Sequence, residues 1–224
     1  ISVCLISLKD SIIRFLENNN LKISFHLIAD SSDHETDNFF YNVIKSNKFD
    51  TFIHKSKISG NRGSYLECCD QAEKADDLIF FIEDDYLFEK NCIEEIILTY
   101  SRISSILEND IVICPSDYPF FYDSLYNTTL LSGNKYKWRK VSESLLTYLF
   151  SKKIYMENKN NIKDVGNQIN DPFEQPLHEL YKKINCIAPV NSLCYHLSRY
   201  VPAINENWKS TWDINFNKYK KIIS

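Results

Sequence analysis

The sequence predicts an α/β protein: a doubly wound, mostly parallel sheet followed by a less regular C-terminal half. Two observations predict it. Short apolar runs alternate with amphipathic segments through the first half of the chain, and one run, LIFFI at 78–82, is apolar at every position. A strand that is apolar throughout is a strand covered on both faces, as in a parallel sheet. The alternation itself implies strands joined by right-handed helical crossovers.

The elements follow in order. Residues 1–7 read as a first strand, and 10–18 as a helix with Ile12, Ile13 and Leu16 on one face. Residues 23–29 are a second strand ending at Asp30-Ser31-Ser32-Asp33. Residues 35–48 form a helix carrying Phe39, Phe40, Val43 and Ile44. A short third strand at 51–54, a helix at 63–75, the 78–82 strand, a long helix at 93–107 and a fifth strand at 111–114 complete this half. In the second half, 118–134 reads as a long aromatic and polar loop, 144–150 as an antiparallel strand, and 159–170 as an Asn-rich linker. Asp171-Pro172-Phe173-Glu174 reads as a helix start, with Asp as cap and Pro at the first helical position. Pro189 starts a coil leading to Tyr195-His196, and 205–224 has no assigned structure. No repeat and no sharp boundary divides the chain, so 1–224 reads as one domain. Within it a regular half, 1–115, precedes a less regular half, 116–224.

Composition narrows the function. The chain has 224 residues, 44% hydrophobic and 25% charged, enough for a substantial single core. Twenty-six basic residues face 30 acidic ones, for a net charge of −4, which argues against nucleic acid as a partner. No apolar run approaches the roughly 20 residues that span a bilayer. The apolar start at 1–8 is too short, and lacks the basic lead-in, for a signal peptide. Seven cysteines include no C-x-x-C pair. They read as small buried hydrophobes of a reducing compartment, with Cys68-Cys69 as one buried and one partly exposed helix position. The expected location is cytoplasmic, with attachment to a membrane periphery as a variant.

In a doubly wound sheet, ligands sit at the carboxyl ends of strands. Glu83-Asp84-Asp85 follows the most apolar strand directly. If the strand continues, Glu83 and Asp85 share a face about 6.7 Å apart. Adjacent carboxylates repel and favour a counter-charge, which Mg²⁺ or Mn²⁺ supplies; an acidic solvated turn is the plain alternative. Asp76-Asp77, before the strand, reads as a solvated loop. Ser59-Gly60-Asn61-Arg62-Gly63-Ser64 holds two of only four glycines. Glycine lets a backbone approach a phosphate at a helix start, and Arg62 adds a charged fork. An ordinary loop fits the same residues, and neither a P-loop nor a G-x-G-x-x-G pattern is present. After the second strand, Asp30 suits a base or ribose, whereas Asp33 suits a helix cap.

Taken in order, these pieces resemble the GT-A glycosyltransferases, most closely the family 2 type. The matching residues are Ile28-Ala29-Asp30-Ser31-Ser32-Asp33, Gly60-Asn61-Arg62-Gly63 and Phe80-Phe81-Ile82-Glu83-Asp84-Asp85, over roughly residues 1–115. The resemblance implies a nucleotide-sugar donor, UDP- or GDP-linked. Asp30 would face the base, Asn61, Arg62 and Gly63 would lie near the nucleotide, and Asp84 near the ribose. Asp85 and Glu83 would hold Mn²⁺ or Mg²⁺, with a late histidine, His196, as a further ligand; a packing histidine is the alternative. An acidic residue at a late helix start would be the general base of an inverting transfer. Asp171 leads there, ahead of Glu174 and Glu179, and Asp171 as a simple cap stays open. The acceptor would be a glycan or lipid-linked glycan over Tyr118, Phe120, Phe121, Tyr122, Trp138 and Arg139, although core packing accounts equally well for half of these.

The pattern departs from the family at Ser7-Leu8-Lys9-Asp10, where P-x-Y-N is usual. The membrane segments and Q-x-x-R-W signature of processive synthases are missing, which favours transfer of a single sugar. Two other readings share the core. A sugar nucleotidyltransferase would want a Gly-rich basic loop after the first strand, and a metal-dependent phosphoesterase more His and Asp ligands. A non-catalytic nucleotide- or glycan-binding module on the same fold is the reading from a different class.

Overall fold

Residues 2–18 contain neither glycine nor proline, and in the computed structural model they form one helix, α1 (Ser2–Asn18). The structure describes residues 1–123, 128–167, 169–198 and 208–223. After α1 come β1 (Ser24–Ala29), α2 (His34–Ile44), β2 (Asp50–Lys55), α3 (Asn61–Ala72), β3 (Leu78–Phe81), β4 (Tyr86–Phe88), α4 (Cys92–Leu107) and β5 (Val112–Ile113). A 3₁₀ turn (Pro119–Tyr122) leads to β6 (Leu130–Ser132), β7 (Lys137–Val141), β8 (Tyr148–Ser151), α5 (Lys152–Glu157) and α6 (Lys159–Asp164). The rest comprises α7 (Gln175–Tyr181), β9 (Cys186–Pro189), β10 (Cys194–His196) and α8 (Trp208–Ile223).

The expected first strand at 1–7 is therefore the start of α1, and Lys9-Asp10 lies within a helix instead of at a strand's end. Val3, Cys4, Leu5, Ile6, Leu8, Ile12 and Phe15 are all buried, because α1 is packed by α2, α4, α8 and β4. A helix enclosed on this many sides loses its polar stripe, and a short apolar run does not then distinguish helix from strand. Two buried serines of α1 bind the chain after the acidic motif. Ser7 Oγ accepts the Phe88 N–H at 2.9 Å, and Ser11 Oγ accepts the Ile93 N–H at 3.0 Å.

The fold is mixed α/β. Its main sheet has six strands in the order β3-β8-β5-β9-β7-β6. β5 and β9 pair in parallel, and the other neighbours pair antiparallel. β3 and β5 run the same way with β8 reversed between them, so the antiparallel strand expected near 144–150 is present. β1 and β2 form a separate parallel pair, and β4 pairs antiparallel with β10. LIFFI forms β3, but not the parallel strand covered on both faces that its apolar run predicted: β3 is an edge strand, pairs antiparallel with β8 and alternates half-buried with buried residues, with Phe81 packed edge-on against Tyr65, Tyr148 and Phe150.

Other boundaries differ. The linker at 159–170 contains α6, while Gln168 lies outside the described residues. The C-terminal segment contains α8, with 205–207 and Ser224 outside them. The helix expected to open at Asp171 opens instead at Gln175, with Glu174 in the cap position and Pro176 in the first turn. Two prolines offered a start, and the second puts Leu177, Leu180 and Tyr181 together on the buried face. All seven cysteines are free, Cys68 half-buried and the rest buried.

A buried carboxylate organises the far side. Glu95, 1% exposed, accepts hydrogen bonds from Thr99 Oγ1, Asn134 Nδ2, the Lys135 and Tyr136 backbone N–H groups and Trp138 Nε1. Replacing it leaves these donors unsatisfied, at about 1–3 kcal/mol for each that stays dry. Glu95→Ala is expected to cost at least about 3 kcal/mol in urea unfolding, against about 0.5 kcal/mol for its exposed-pair neighbour in Glu94→Ala. A second expectation concerns the β1–β2 pair. His26 Nδ1 lies 2.9 Å from His54 Nε2 with the rings stacked, and one proton serves that contact. Burial lowers the pKa of both, and for His26 the His54 charge lowers it further. Their folded values lie below the unfolded value of about 6.5, so this stability is whole above that pH and is lost as pH falls through the folded values. In His26→Phe the unfolding midpoint should depend less on pH below 6.5.

Candidate functional site

Asp30 follows β1 directly and braces the glycine turn. Its Oδ2 accepts the Gly60 N–H at 2.7 Å, and its Oδ1 accepts from Ser31 Oγ at 3.0 Å. Ser31 Oγ also meets Ser59 Oγ at 2.6 Å, so the two loops are tied twice. Gly60 has φ +89°, a conformation that favours glycine. Gly63 is required for a different reason: a Cβ there would lie 1.5 Å from the Ile58 carbonyl oxygen. α3 thus starts hard against its own loop, with Asn61 and Arg62 exposed in its first turn and, among the described residues, without a hydrogen bond or ion pair from their side chains. Asp33 caps α2 by accepting the Thr36 N–H at 2.7 Å, as its position predicted.

The acidic motif does not continue the strand. β3 ends at Phe81, Asp84-Asp85 form a turn, and β4 begins at Tyr86. This turn replaces the alternation assumed for Glu83 and Asp85. Asp84 is exposed at the turn. Glu83 is tied to the 144–147 loop, its N–H donating to Thr147 Oγ1 at 3.0 Å.

The β4–β10 register puts His196 opposite Tyr86, with the two rings stacked 4.8 Å apart. His196 Nε2 then lies 3.0 Å from Asp85 Oδ2. Two carboxylate oxygens nearby, Asp85 Oδ1 and Glu83 Oε2, are out of contact with solvent and accept no hydrogen bond. Burial first, then the Asp85 charge, pushes the Glu83 carboxyl up to about 7; His196 pulls it down, and Glu174 pushes it up further. Glu174, half-buried at the start of α7, is therefore within electrostatic reach of the motif. Asp171 is exposed in the preceding loop, away from these contacts.

Among the described residues, no group of three or more His, Cys, Asp and Glu side chains is arranged to hold a metal ion. Asp85 and His196 make a pair. Their 3.0 Å separation is that of a direct hydrogen-bonded ion pair. The unmatched Asp85 oxygen suits an ion. Mg²⁺-type sites commonly use one or two carboxylates and take their other ligands from water and substrate phosphates.

No protein-family model and no curated protein matches the chain. Among solved structures it is similar to apo UDP-glucose pyrophosphorylase, with a TM-score of 0.47 and 11% identity over 96% of this chain and 87% of that one.

The aromatic stretch assigned to an acceptor is mostly core. Trp138 is fully buried with its indole N–H on Glu95, and Phe121 is buried. Tyr118 is buried with its hydroxyl 2.5 Å from that of Tyr86. Tyr122 is the exposed member. Its hydroxyl donates to Asp117 Oδ2 at 2.6 Å, and Asp117 forms a buried ion pair with Arg139. The role of Asp117 as the partner of Arg139 was not legible in sequence. Its only signal was its place after the fifth strand.

The Glu83 carboxyl should titrate near 7 instead of near 4.5 in carboxyl-detected NMR of the metal-free protein. Asp85→Asn should lower that value most among the neighbours, Glu174→Gln should lower it less, and His196→Ala should raise it.

Proposed function

We propose that this chain is a glycosyltransferase of the GT-A type, moving one sugar from a nucleotide-sugar donor to a hydroxyl of a glycan or lipid-linked glycan. The observation that carries the reading is the Asp85–His196 pair beside two unmatched buried carboxylate oxygens at the carboxyl end of β3. Unmatched buried carboxylates cost stability, and such clusters mark functional sites.

In this reading Asp30 and the turn it braces receive the nucleoside, and Asp84 meets the ribose. Asn61 and Arg62 present free first-turn N–H groups and a guanidinium to the diphosphate, where Gly63 lets the backbone sit close. Asp85 and His196, with Glu83 behind them, would hold Mn²⁺ or Mg²⁺, whose charge stabilises the leaving diphosphate. Glu174 takes the proton from the acceptor hydroxyl, in preference to Asp171, because its charge reaches the motif. Tyr122 offers an exposed aromatic face to the acceptor.

The test is a donor-hydrolysis screen across UDP- and GDP-sugars with Mn²⁺. One donor is expected to turn over, and Asp85→Asn should lower kcat by about 10²-fold or more. Glu174→Gln should lower transfer by about 10²–10⁴-fold with little change in KM for the donor. Metal-independent glycan binding without turnover of any donor would overturn the reading in favour of a binding module. Pyrophosphate-dependent release of nucleoside triphosphate would overturn it in favour of a nucleotidyltransferase.

A further inference from the structure

β1 and β3 each leave one edge open. The Lys152 N–H donates to the Asp77 carbonyl at 2.7 Å, which sets the ladder of β3 with β8. Ile79 and Phe81 therefore turn their backbone groups to β8, and Leu78 and Phe80 turn theirs away. In β1 the Ala29 carbonyl accepts the Ser56 N–H at 3.0 Å, so Phe25, Leu27 and Ala29 face β2, and Ser24, His26 and Ile28 face away. Among the described residues, the outward backbone groups of these five make no hydrogen bond, and β1 does not pair with β3.

The same two helices cover both strands. α3 packs on β1, and its Tyr65 meets Phe81 of β3. On the other face, Leu5 and Ile6 of α1 pack with Phe25, and Ser7 binds the Phe88 N–H, beside the ring that meets Phe80. α3 starts at the Gly60 turn, braced by Asp30 at the carboxyl end of β1, and ends where Lys152 binds the Ala72 carbonyl near the start of β3. β1 and β3 therefore run the same way. β2 lies outside, with Phe52 46% exposed, so the open edge of β1 is its inner one. Edges meant for solvent are commonly guarded by charge or proline. β2 carries Asp50 and Lys55, whereas β1 and β3 carry no lysine, carboxylate or proline.

We propose that the opening between β1 and β3 takes one further parallel strand, with the chain that leads into α1 as its occupant. The placement of α1 selects that occupant over a second copy. The first turn of α1 packs Val3 with Leu87 and Tyr195, just beyond the carboxyl end of β3, and brings the Ile1 amino group within electrostatic reach of Asp84. Its far end leads through 19–23 to the amino end of β1. α1 thus runs antiparallel to β1, as a crossover helix does, and the strand ahead of such a helix lies in the same sheet as the strand that follows it. A strand entering α1 would run parallel to both neighbours and bond the outward groups of both. A length of 6 residues would match β1. With α1 and α3 on its two faces, the strand is expected to be apolar throughout. Its last residues would stand between Asp30 and Asp84 and form part of the floor of the candidate site. The proposal does not depend on the donor chemistry.

Amide hydrogen exchange followed by NMR tests it. In the 1–224 chain the Ser24, His26, Ile28, Leu78 and Phe80 amides should exchange at least about tenfold faster than those of Phe25, Leu27, Ile79 and Phe81. Two further chains carry a strand-length extension ahead of Ile1, Val-Ile-Val-Ile-Val-Val in one and Gly-Ser-Gly-Ser-Gly-Ser in the other. The apolar extension should slow the five outward amides by at least about tenfold and raise the thermal unfolding midpoint, and the Gly-Ser extension should do neither. Exchange that is equally slow at all of these amides in the 1–224 chain would overturn the proposal, because the edges would already be covered. So would an apolar extension that folds and leaves the five amides unchanged. Slowing that grows with the concentration of the 1–224 chain would overturn it as well, by assigning the edges to a second copy.

Discussion

The site depends on one register. β10 returns antiparallel to β4 so that His196 falls opposite Tyr86, and the Leu197 N–H closes the ladder on the Asp85 carbonyl at 3.0 Å. Side chains alternate faces along a strand, so a slip of one residue would carry His196 to the other side of the ribbon. The Tyr86 ring holds the imidazole flat, and the Tyr86 hydroxyl is in turn engaged by Tyr118. Behind β4, the buried serines of α1 bind the chain at Phe88 and Ile93. The central helix thus fixes the segment that aims Asp85.

The electrostatics of the motif follow from crowding around Glu83, while Asp84 and much of the Asp85 side chain stay in contact with solvent. Asp85 faces His196, and Glu83 stands behind with Glu174 adding negative potential. A carboxyl raised to about 7 holds a proton half the time at neutral pH, and that proton relieves repulsion among three acids. A divalent cation would supply the same relief more strongly. Cation and proton would then compete, so affinity for the ion would rise with pH across the range in which Glu83 titrates.

What the sequence disclosed was set by how local the signal was. The Asp33 cap depends on neighbours in the chain and lies where its pattern placed it; LIFFI is a strand as its residues suggest, yet its place at a sheet edge and its antiparallel partner are set by distant β8. α1 was misread because enclosure by four elements erased its polar stripe, leaving a run that a strand would share. β4 went unseen because three residues directly after a turn give no periodicity. Trp138 and Arg139 looked like a binding surface, yet their partners Glu95 and Asp117 lie 43 and 22 residues away. The separation of Asp171 from Glu174 turned on which proline opened α7, a choice made by the packing of Leu177, Leu180 and Tyr181 and not by the caps.

The chain treats its buried acids in two ways. Where a carboxylate is structural, its valences are filled: Glu95 by five donors, Asp37 by Lys55 and Ser32, and Asp117 by Arg139 and Tyr122. A fold able to supply so many donors elsewhere leaves Glu83 Oε2 and Asp85 Oδ1 dry and unmatched at the end of its most apolar strand. Leaving such groups open costs about 1–3 kcal/mol apiece, more when charged. Poor packing does not explain it, because Tyr86, Leu87 and Phe88 immediately beyond are among the most completely buried residues of the chain. This contrast supports the proposed cation at this place: positive charge, whether from a metal ion or from the proton that Glu83 takes up near pH 7, offsets open carboxylate oxygens.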